Sequence, residues 1–168
     1  MANMVIRYSG AAGSHNTTTS SGNASLGAYM GSNGIDLSNA NASNNLFDDI
    51  TKLENFQQTS DYRCVYIYND TALGGEIFAN AEIYIPNGHL VDVGVIVEAK
   101  NSTAVDMTSA GENADPLVQL QQLYGGTVNW TSPVSTDALD LLPYEPTNKV
   151  LGPGEWVPVW IKRTANQI

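Results

Sequence analysis

The sequence is poor in the residues on which most catalytic and metal centres depend. Cys64 is the single cysteine, which excludes a disulfide within the chain, and His15 and His89 are the only histidines. Two imidazoles do not complete a histidine zinc site, and no calcium loop, phosphate-binding glycine loop or nucleophile elbow is recognisable. The sequence therefore predicts no catalytic, cofactor-binding or metal-binding residues, and a protein that is not an enzyme.

Charged residues are also scarce, and most carry one sign. They make up 14% of the chain, against roughly 25% in an average soluble domain. The formal net charge is −10 and the sequence pI is about 4.3. Such a surface repels phosphate backbones, so nucleic acid is not an expected partner. We interpret the acidity mainly as a contribution to solubility.

Long apolar runs are missing as well. No segment approaches 18 continuous apolar residues, and the stretch from Met1 to Arg7 has neither the charged region nor the apolar run of a signal peptide. We therefore expect no membrane partner and synthesis in the cytoplasm. Cys64 lies within an apolar strand pattern, where a small buried hydrophobe is expected rather than a reactive thiol.

Asn, Ser, Thr and Gly take the place of the missing charge, and they favour turns and extended structure. Period-two patterns predict a central strand at Tyr62–Asn69, a hairpin of Glu76–Ile85 with Leu90–Glu98, and a closing strand within Leu151–Thr164. Short helices are expected within Asn45–Phe56, capped by Asn45, and after Asp115.

These elements predict a mainly β fold. We expect a two-sheet antiparallel β-sandwich, Ig-like or jelly-roll-like, because each strand must bury one face against a second layer. It would carry an extended N-terminal arm and one or two short helices. A single core is expected to contain Cys64, Ile67, Ile83 and Trp160.

Residues 1–45 are predicted to form an N-terminal strand and an extended polar arm, and residues 46–168 the sandwich domain. The arm has too few apolar residues to form a core of its own. We expect it to order against a partner protein, with the alternative that it wraps its own domain and covers a sheet edge. The predicted partner-binding residues are Leu26, Tyr29, Met30, Ile35 and Leu37 in the arm, and Trp130 in the domain.

Four segments, VIRYSG with NASLGA, NNLFDDIT, DYRCVYIYND and LGPGEWVPVWIKRT, resemble in this order a family of small tailed-bacteriophage proteins described as virion structural or as uncharacterised. The resemblance implies a location in the virion and contacts with the major capsid protein or tail proteins. It also implies a homo-oligomer or multiple copies on the particle, and it transfers no catalytic residue. Among such roles we expect a head decoration or cement protein. The alternatives are a tail or fibre-attachment component and a carbohydrate-binding, adhesin-like module.

Overall fold

The computed structural model describes residues 4–35, 45–70, 75–86 and 91–165. Strands outnumber helices, which confirms the mainly β prediction. Among the described residues, no helix combines the length and apolar character needed to span a membrane. The elements are β1 Met4–Tyr8, α1 Lys52–Gln57, β2 Ser60–Asn69, β3 Phe78–Ala79, β4 Glu82–Ile83, β5 Val91–Val97, α2 Leu117–Tyr124, β6 Leu139–Asp140, β7 Val150–Leu151 and β8 Trp156–Ala165, with a short 3₁₀ turn at Gly22–Ala24.

A four-stranded antiparallel sheet in the order β1-β2-β8-β5 forms the centre of the molecule. Its two inner strands, β2 and β8, are ten residues long and place Cys64 opposite Trp160. Both were predicted from the sequence, and both are confirmed. Their β-branched and aromatic residues suit a pleated surface that is covered on both sides.

The sheet separates two hydrophobic clusters, because alternate residues of each strand point to opposite faces. Cys64 and Trp160 belong to the first cluster, whereas Ile67 belongs to the second and Ile83 packs against that second cluster. The prediction that these four residues share one core is therefore wrong. The chain builds one core on each side of a central sheet instead of one core between two equal sheets.

Two short ladders, β3 with β7 and β4 with β6, cover the second face. The predicted hairpin between Glu76–Ile85 and Leu90–Glu98 is wrong, because β4 pairs with β6 and β5 pairs with β8. Asn80 has a positive φ of 50° and interrupts the extended run between β3 and β4. The resulting two-residue strands pair with distant segments, while β8 offers β5 a full-length partner.

Side-chain hydrogen bonds fix the start of both helices, at one predicted position and at one that was not predicted. Helix α2 begins at Leu117, whose backbone N–H donates to Asp115 Oδ1, and this confirms the helix predicted after Asp115. Helix α1 is not capped by Asn45. Thr51 Oγ1 accepts from the backbone N–H of Glu54, whose carboxylate accepts in return from the N–H of Thr51. This reciprocal capping box places the N-cap of α1 at Thr51, six residues after the predicted cap.

The N-terminal segment, residues 9–35, packs into the domain. Leu26 and Met30 are buried in the first cluster, and Ile35 is buried in the second. The N–H of Gly31 donates to Tyr8 O and that of Ile35 donates to Ile6 O, both at 2.7 Å. The segment therefore covers the outer edge of β1, as in the alternative stated above, and the prediction of a separate arm is wrong for these residues.

Hydroxyl groups and a glycine explain how so polar a segment packs closely. Ser9 Oγ and Ser25 Oγ both donate to the carbonyl oxygen of Cys64 in β2, at 2.9 and 2.5 Å. Gly27 has a φ of +89°, and a Cβ atom there would lie 1.7 Å from the carbonyl oxygen of Val105. The segment is held by buried hydrogen bonds and close backbone approach, which a count of apolar residues does not detect.

Candidate binding surface

An open apolar cleft lies beside the outer edge of β5. Val95 exchanges two backbone hydrogen bonds with Thr131, at 2.6 and 3.2 Å. The antiparallel register would next place Asn129 opposite Val97, yet no backbone bond joins these two residues. The two segments thus diverge and leave a cleft of about 280 Å³. This β5 cleft is lined chiefly by Val97, Val128, Asn129, Leu139, Pro143 and Tyr144.

The backbone of Val97 faces this cleft. Alternate residues of a strand direct their N–H and C=O groups to opposite edges. Glu98 donates to Pro158 O on the β8 side, and Val95 pairs with Thr131 on the outer side, so Val97 also points outward. Within the part of the chain that the structure describes, no hydrogen bond is formed by the N–H or C=O of Val97. The cleft therefore combines apolar walls with the backbone N–H and C=O of Val97, which is 3% exposed and whose outward groups bond to no other described residue.

A pair of stacked tyrosines forms one wall. The rings of Tyr124 and Tyr144 lie 4.6 Å apart, with an angle of 24° between their planes. Tyr144 is 38% exposed and lines the cleft, whereas Tyr124 stands behind it and donates its hydroxyl to Glu98 Oε2 at 3.1 Å. The exposed ring of Tyr144 is thus stacked on Tyr124, whose position is fixed by its hydrogen bond to Glu98.

Glu98 is the centre of a buried polar network behind the cleft. Its Oε1 accepts from Trp160 Nε1 at 2.7 Å and from the backbone N–H of Val105 at 3.1 Å. Burial raises the pKa of Glu98, and the hydrogen bonds from Trp160, Val105 and Tyr124 act in the opposite direction. Both carboxylate oxygens are occupied by protein donors, so this residue orients its neighbours rather than presenting a reactive group.

A second apolar cleft, of about 230 Å³, lies near the opposite edge of the sheet. Its walls include Met4, Ile6, Ile83, Tyr84 and Leu141, with Tyr84 51% exposed. Elsewhere, the helices expose Leu53 on α1 and Val118 and Leu123 on α2. Isolated apolar residues are normal on a protein surface, but apolar residues that line a cleft with an exposed aromatic at its rim are typical of binding sites.

The residues predicted to contact a partner occupy different environments. Leu26, Met30 and Ile35 are buried in the protein's own clusters and are not available to another chain in this conformation. Tyr29 is 36% exposed. Leu37 lies outside the described residues.

Trp130, the sixth predicted residue, is half-buried. Its ring lies 5.5 Å from that of Tyr62, and its Nε1 donates to Asp115 Oδ1 at 3.1 Å. It is held by its own domain instead of standing out as an exposed anchor. Sequence reasoning missed Val97 and Tyr144. The cleft forms because β5 and the segment around Thr131 separate beyond the Val95–Thr131 bridge, and no local sequence pattern indicates such a separation.

His15 fastens the N-terminal segment to the sheet. Its ring lies 4.5 Å from that of Trp156 and between 5 and 6 Å from those of Tyr29 and Tyr66. Nδ1 accepts from the backbone N–H of Met30 at 2.9 Å, so the proton of the neutral ring resides on Nε2, which is 3.1 Å from Thr103 Oγ1. Burial lowers the pKa of His15. These contacts assign the histidine a structural role.

A fully buried arginine ties two loops to one end of the sheet. Arg63 forms an ion pair with Glu112, donates its Nε proton to Leu46 O at 3.1 Å and lies over the ring of Phe47. Its guanidinium is surrounded by protein groups. The arrangement fits loop anchoring and leaves this charge inaccessible to an anionic ligand.

Among residues 4–35, 45–70, 75–86 and 91–165, no three histidine, cysteine or carboxylate side chains are grouped so that they would hold a metal ion. Comparison of the chain with family models, with curated proteins and with solved structures gives no match. The geometry of the two clefts is therefore the main basis for a functional proposal.

Proposed function

We propose that this chain is a non-enzymatic structural protein of a tailed-phage virion, a head decoration or cement protein that binds the capsid surface in multiple copies. The observation that carries the proposal is the β5 cleft, where apolar walls and the exposed ring of Tyr144 lie together with the backbone of Val97, whose outward groups bond to no other residue that the structure describes. Protein interfaces concentrate aromatic anchors in such positions and surround them with polar residues.

The resemblance of four sequence segments also supports the proposal. The four sequence segments described above resemble phage virion proteins and lie largely in the central sheet and the N-terminal segment. We also propose that the fold is a β-sandwich whose second layer is reduced to the β3–β7 and β4–β6 ladders. A domain with both faces of its sheet covered suits a rigid building block whose surface binds neighbours.

Rebinding to separated virion parts tests the proposal. The purified chain is mixed with isolated heads or isolated tails of the phage that encodes it and is then sedimented. We expect binding to heads, whereas binding to tails alone would favour the tail or fibre-attachment alternative. Binding to neither part would contradict the proposal.

A charge variant tests whether the β5 cleft is the contact. Tyr144→Asp places a carboxylate on the apolar wall and should weaken head binding by roughly 30-fold or more, as expected for an aromatic hot spot worth about 2 kcal/mol. Gln122→Asp adds the same charge on the exposed side of α2 and should leave binding unchanged. Equal effects of the two variants would show that the contact lies elsewhere.

A carbohydrate-binding module is the second candidate, and one feature of the same cleft favours it. Thr127 and Asn129 line the cleft together with Tyr144, and a sugar site combines an apolar platform with a few polar groups. Specific binding on a glycan array that Tyr144→Ala abolishes would favour this candidate. Virion binding that is insensitive to added sugars would favour the first.

A further inference from the structure

We propose that the β5 cleft receives an extended segment of a partner protein, which adds as a strand at Val97 and places an apolar side chain against Tyr144. The inference deepens the proposed function, since it rests on the chain being a protein-binding module. It specifies the kind of segment that the partner must supply.

The backbone geometry favours an extended occupant. Thr131 already pairs with Val95 as a strand would, and the next outward-facing position along β5 is Val97. A strand residue that pairs there satisfies both its N–H and its C=O at once. A helix satisfies its own backbone groups internally and leaves those of Val97 without partners. Strand addition is therefore the binding mode that fits both groups.

The walls of the cleft select the side chains of that segment. Val128, Leu139 and Pro143 line it together with Tyr144, and its volume of about 280 Å³ suits aliphatic side chains. Asp137 and Glu145 lie in sequence next to these walls, Asp137 is exposed, and the chain carries a net charge of −10. We therefore expect an apolar residue flanked by Lys or Arg, since opposite charges at the rim speed association and favour the correct partner.

The opposite edge of the sheet does not offer the same opportunity. The carbonyl groups of Ile6 and Tyr8 on β1 accept hydrogen bonds from Ile35 and Gly31 of the N-terminal segment. That edge is thus already covered along part of its length. We therefore assign the partner segment to β5, where the segment around Thr131 separates from the strand edge beyond Val95.

Titration with a matched pair of peptides tests the inference. The isotopically labelled full chain is mixed with the peptide Lys-Thr-Val-Thr-Val-Thr-Lys, or with the same peptide N-methylated on the backbone nitrogens of its pairing edge. We expect the first peptide to shift the amide resonance of Val97 and slow its hydrogen exchange. The methylated peptide keeps every side chain but loses its donors, and should bind at least tenfold more weakly.

Two variants refine the titration. Tyr144→Ser should weaken binding of the unmodified peptide by tenfold or more, and Gln122→Asp should not change it. No change at Val97 with millimolar peptide, or equal binding of the two peptides, would overturn the inference. Protection of Val97 without peptide in a concentration-dependent dimer would assign the cleft to a second copy of this chain and would also overturn it.

The peptide titration tests the binding mode and the rebinding experiment tests the virion assignment, so a negative result in one leaves the other claim standing. Binding to phage heads without strand addition would leave the proposed function standing and remove only the binding mode. Strand addition without binding to any virion part would retain the binding mode and remove the virion assignment.

Discussion

Two replacements of Glu98 distinguish its role as a hydrogen-bond acceptor from the energetic cost of burying its charge. Leucine removes both the acceptor and the charge, and glutamine removes only the charge. In Glu98→Leu, the Trp160 Nε1–H and the Val105 N–H lose their common acceptor at the centre of the first cluster. Each buried donor left unpaired costs about 1–3 kcal/mol, so the variant should lose about 2–6 kcal/mol of unfolding free energy. In Glu98→Gln, the amide oxygen can accept both bonds while the amide nitrogen donates to Tyr124 OH. This variant should stay within about 1 kcal/mol of the original chain at pH 7.

The pH dependence of that comparison has a defined sign. Burial raises the pKa of Glu98 above the value of 4.5 that it has in an unfolded chain. The folded state therefore holds the proton more tightly, and this contribution to stability is complete below pH 4.5 and is lost as the pH rises through the higher folded-state pKa. The glutamine variant lacks the contribution. Relative to the original chain, Glu98→Gln should become more stable between pH 4 and pH 7.

Urea unfolding followed by tryptophan fluorescence measures both effects, since Trp160 lies in the network. The three proteins are compared at pH 4, 5, 6 and 7. Equal losses for the glutamine and leucine variants would show that the acceptor role is unimportant. A difference between the original chain and the glutamine variant that does not change with pH would refute the burial argument.

Three further predictions concern the N-terminal segment and the second cluster. Gly27→Ala should lose about 3–5 kcal/mol in urea unfolding, because its Cβ would meet Val105 O. Gly13→Ala has a similar φ, but its Cβ would only reach ordinary contact with Thr17 Oγ1 at 4.0 Å, and it should lose about 1–2 kcal/mol, so equal losses would contradict the close approach. The uncharged rings of Tyr29, Tyr66 and Trp156 face His15, and burial lowers the pKa of its imidazole in the folded state. The neutral ring therefore contributes stability that is fully present above pH 6.5 and is lost as the pH falls through the folded-state pKa. Hydrogen exchange of the Met30 N–H should therefore accelerate between pH 7 and pH 5, after correction for intrinsic rates, and an unchanged corrected rate would contradict this role. Ile83→Ala should lower the free energy of unfolding by about 1–2 kcal/mol, because the Ile83 side chain is half-buried. Val159→Ala should lower it more, because Val159 is fully buried in the sheet. The reverse order in urea unfolding would contradict the assignment of the second cluster.

The strands that are long and buried on both faces were predictable from sequence. Tyr62, Cys64 and Tyr66 alternate with Arg63 and Val65, and this period-two pattern survives in the structure because both faces of β2 are packed. The same holds for β8. Helix α2 had its start signal at Asp115, which the structure uses.

Features that depend on distant contacts were not predictable. The Glu76–Ile85 pattern predicted a strand paired to its sequence neighbour, but its two short pieces pair with β6 and β7. The N-terminal segment has too few apolar residues to predict that it packs into the domain, yet Ser9 and Ser25 are buried donors to β2. The Thr51–Glu54 capping box was present in the sequence and was overlooked in favour of Asn45.

The protein composition of purified virions tests the central claim most directly. Under the proposed function a tailed phage encodes this chain, and its purified particles are separated into heads and tails, each of which is quantified by mass spectrometry. We expect the chain to be present in multiple copies per head, and we expect Tyr144→Asp to reduce its copy number while Gln122→Asp does not. Purified particles that lack the chain, although the infected cell contains it, would contradict the account.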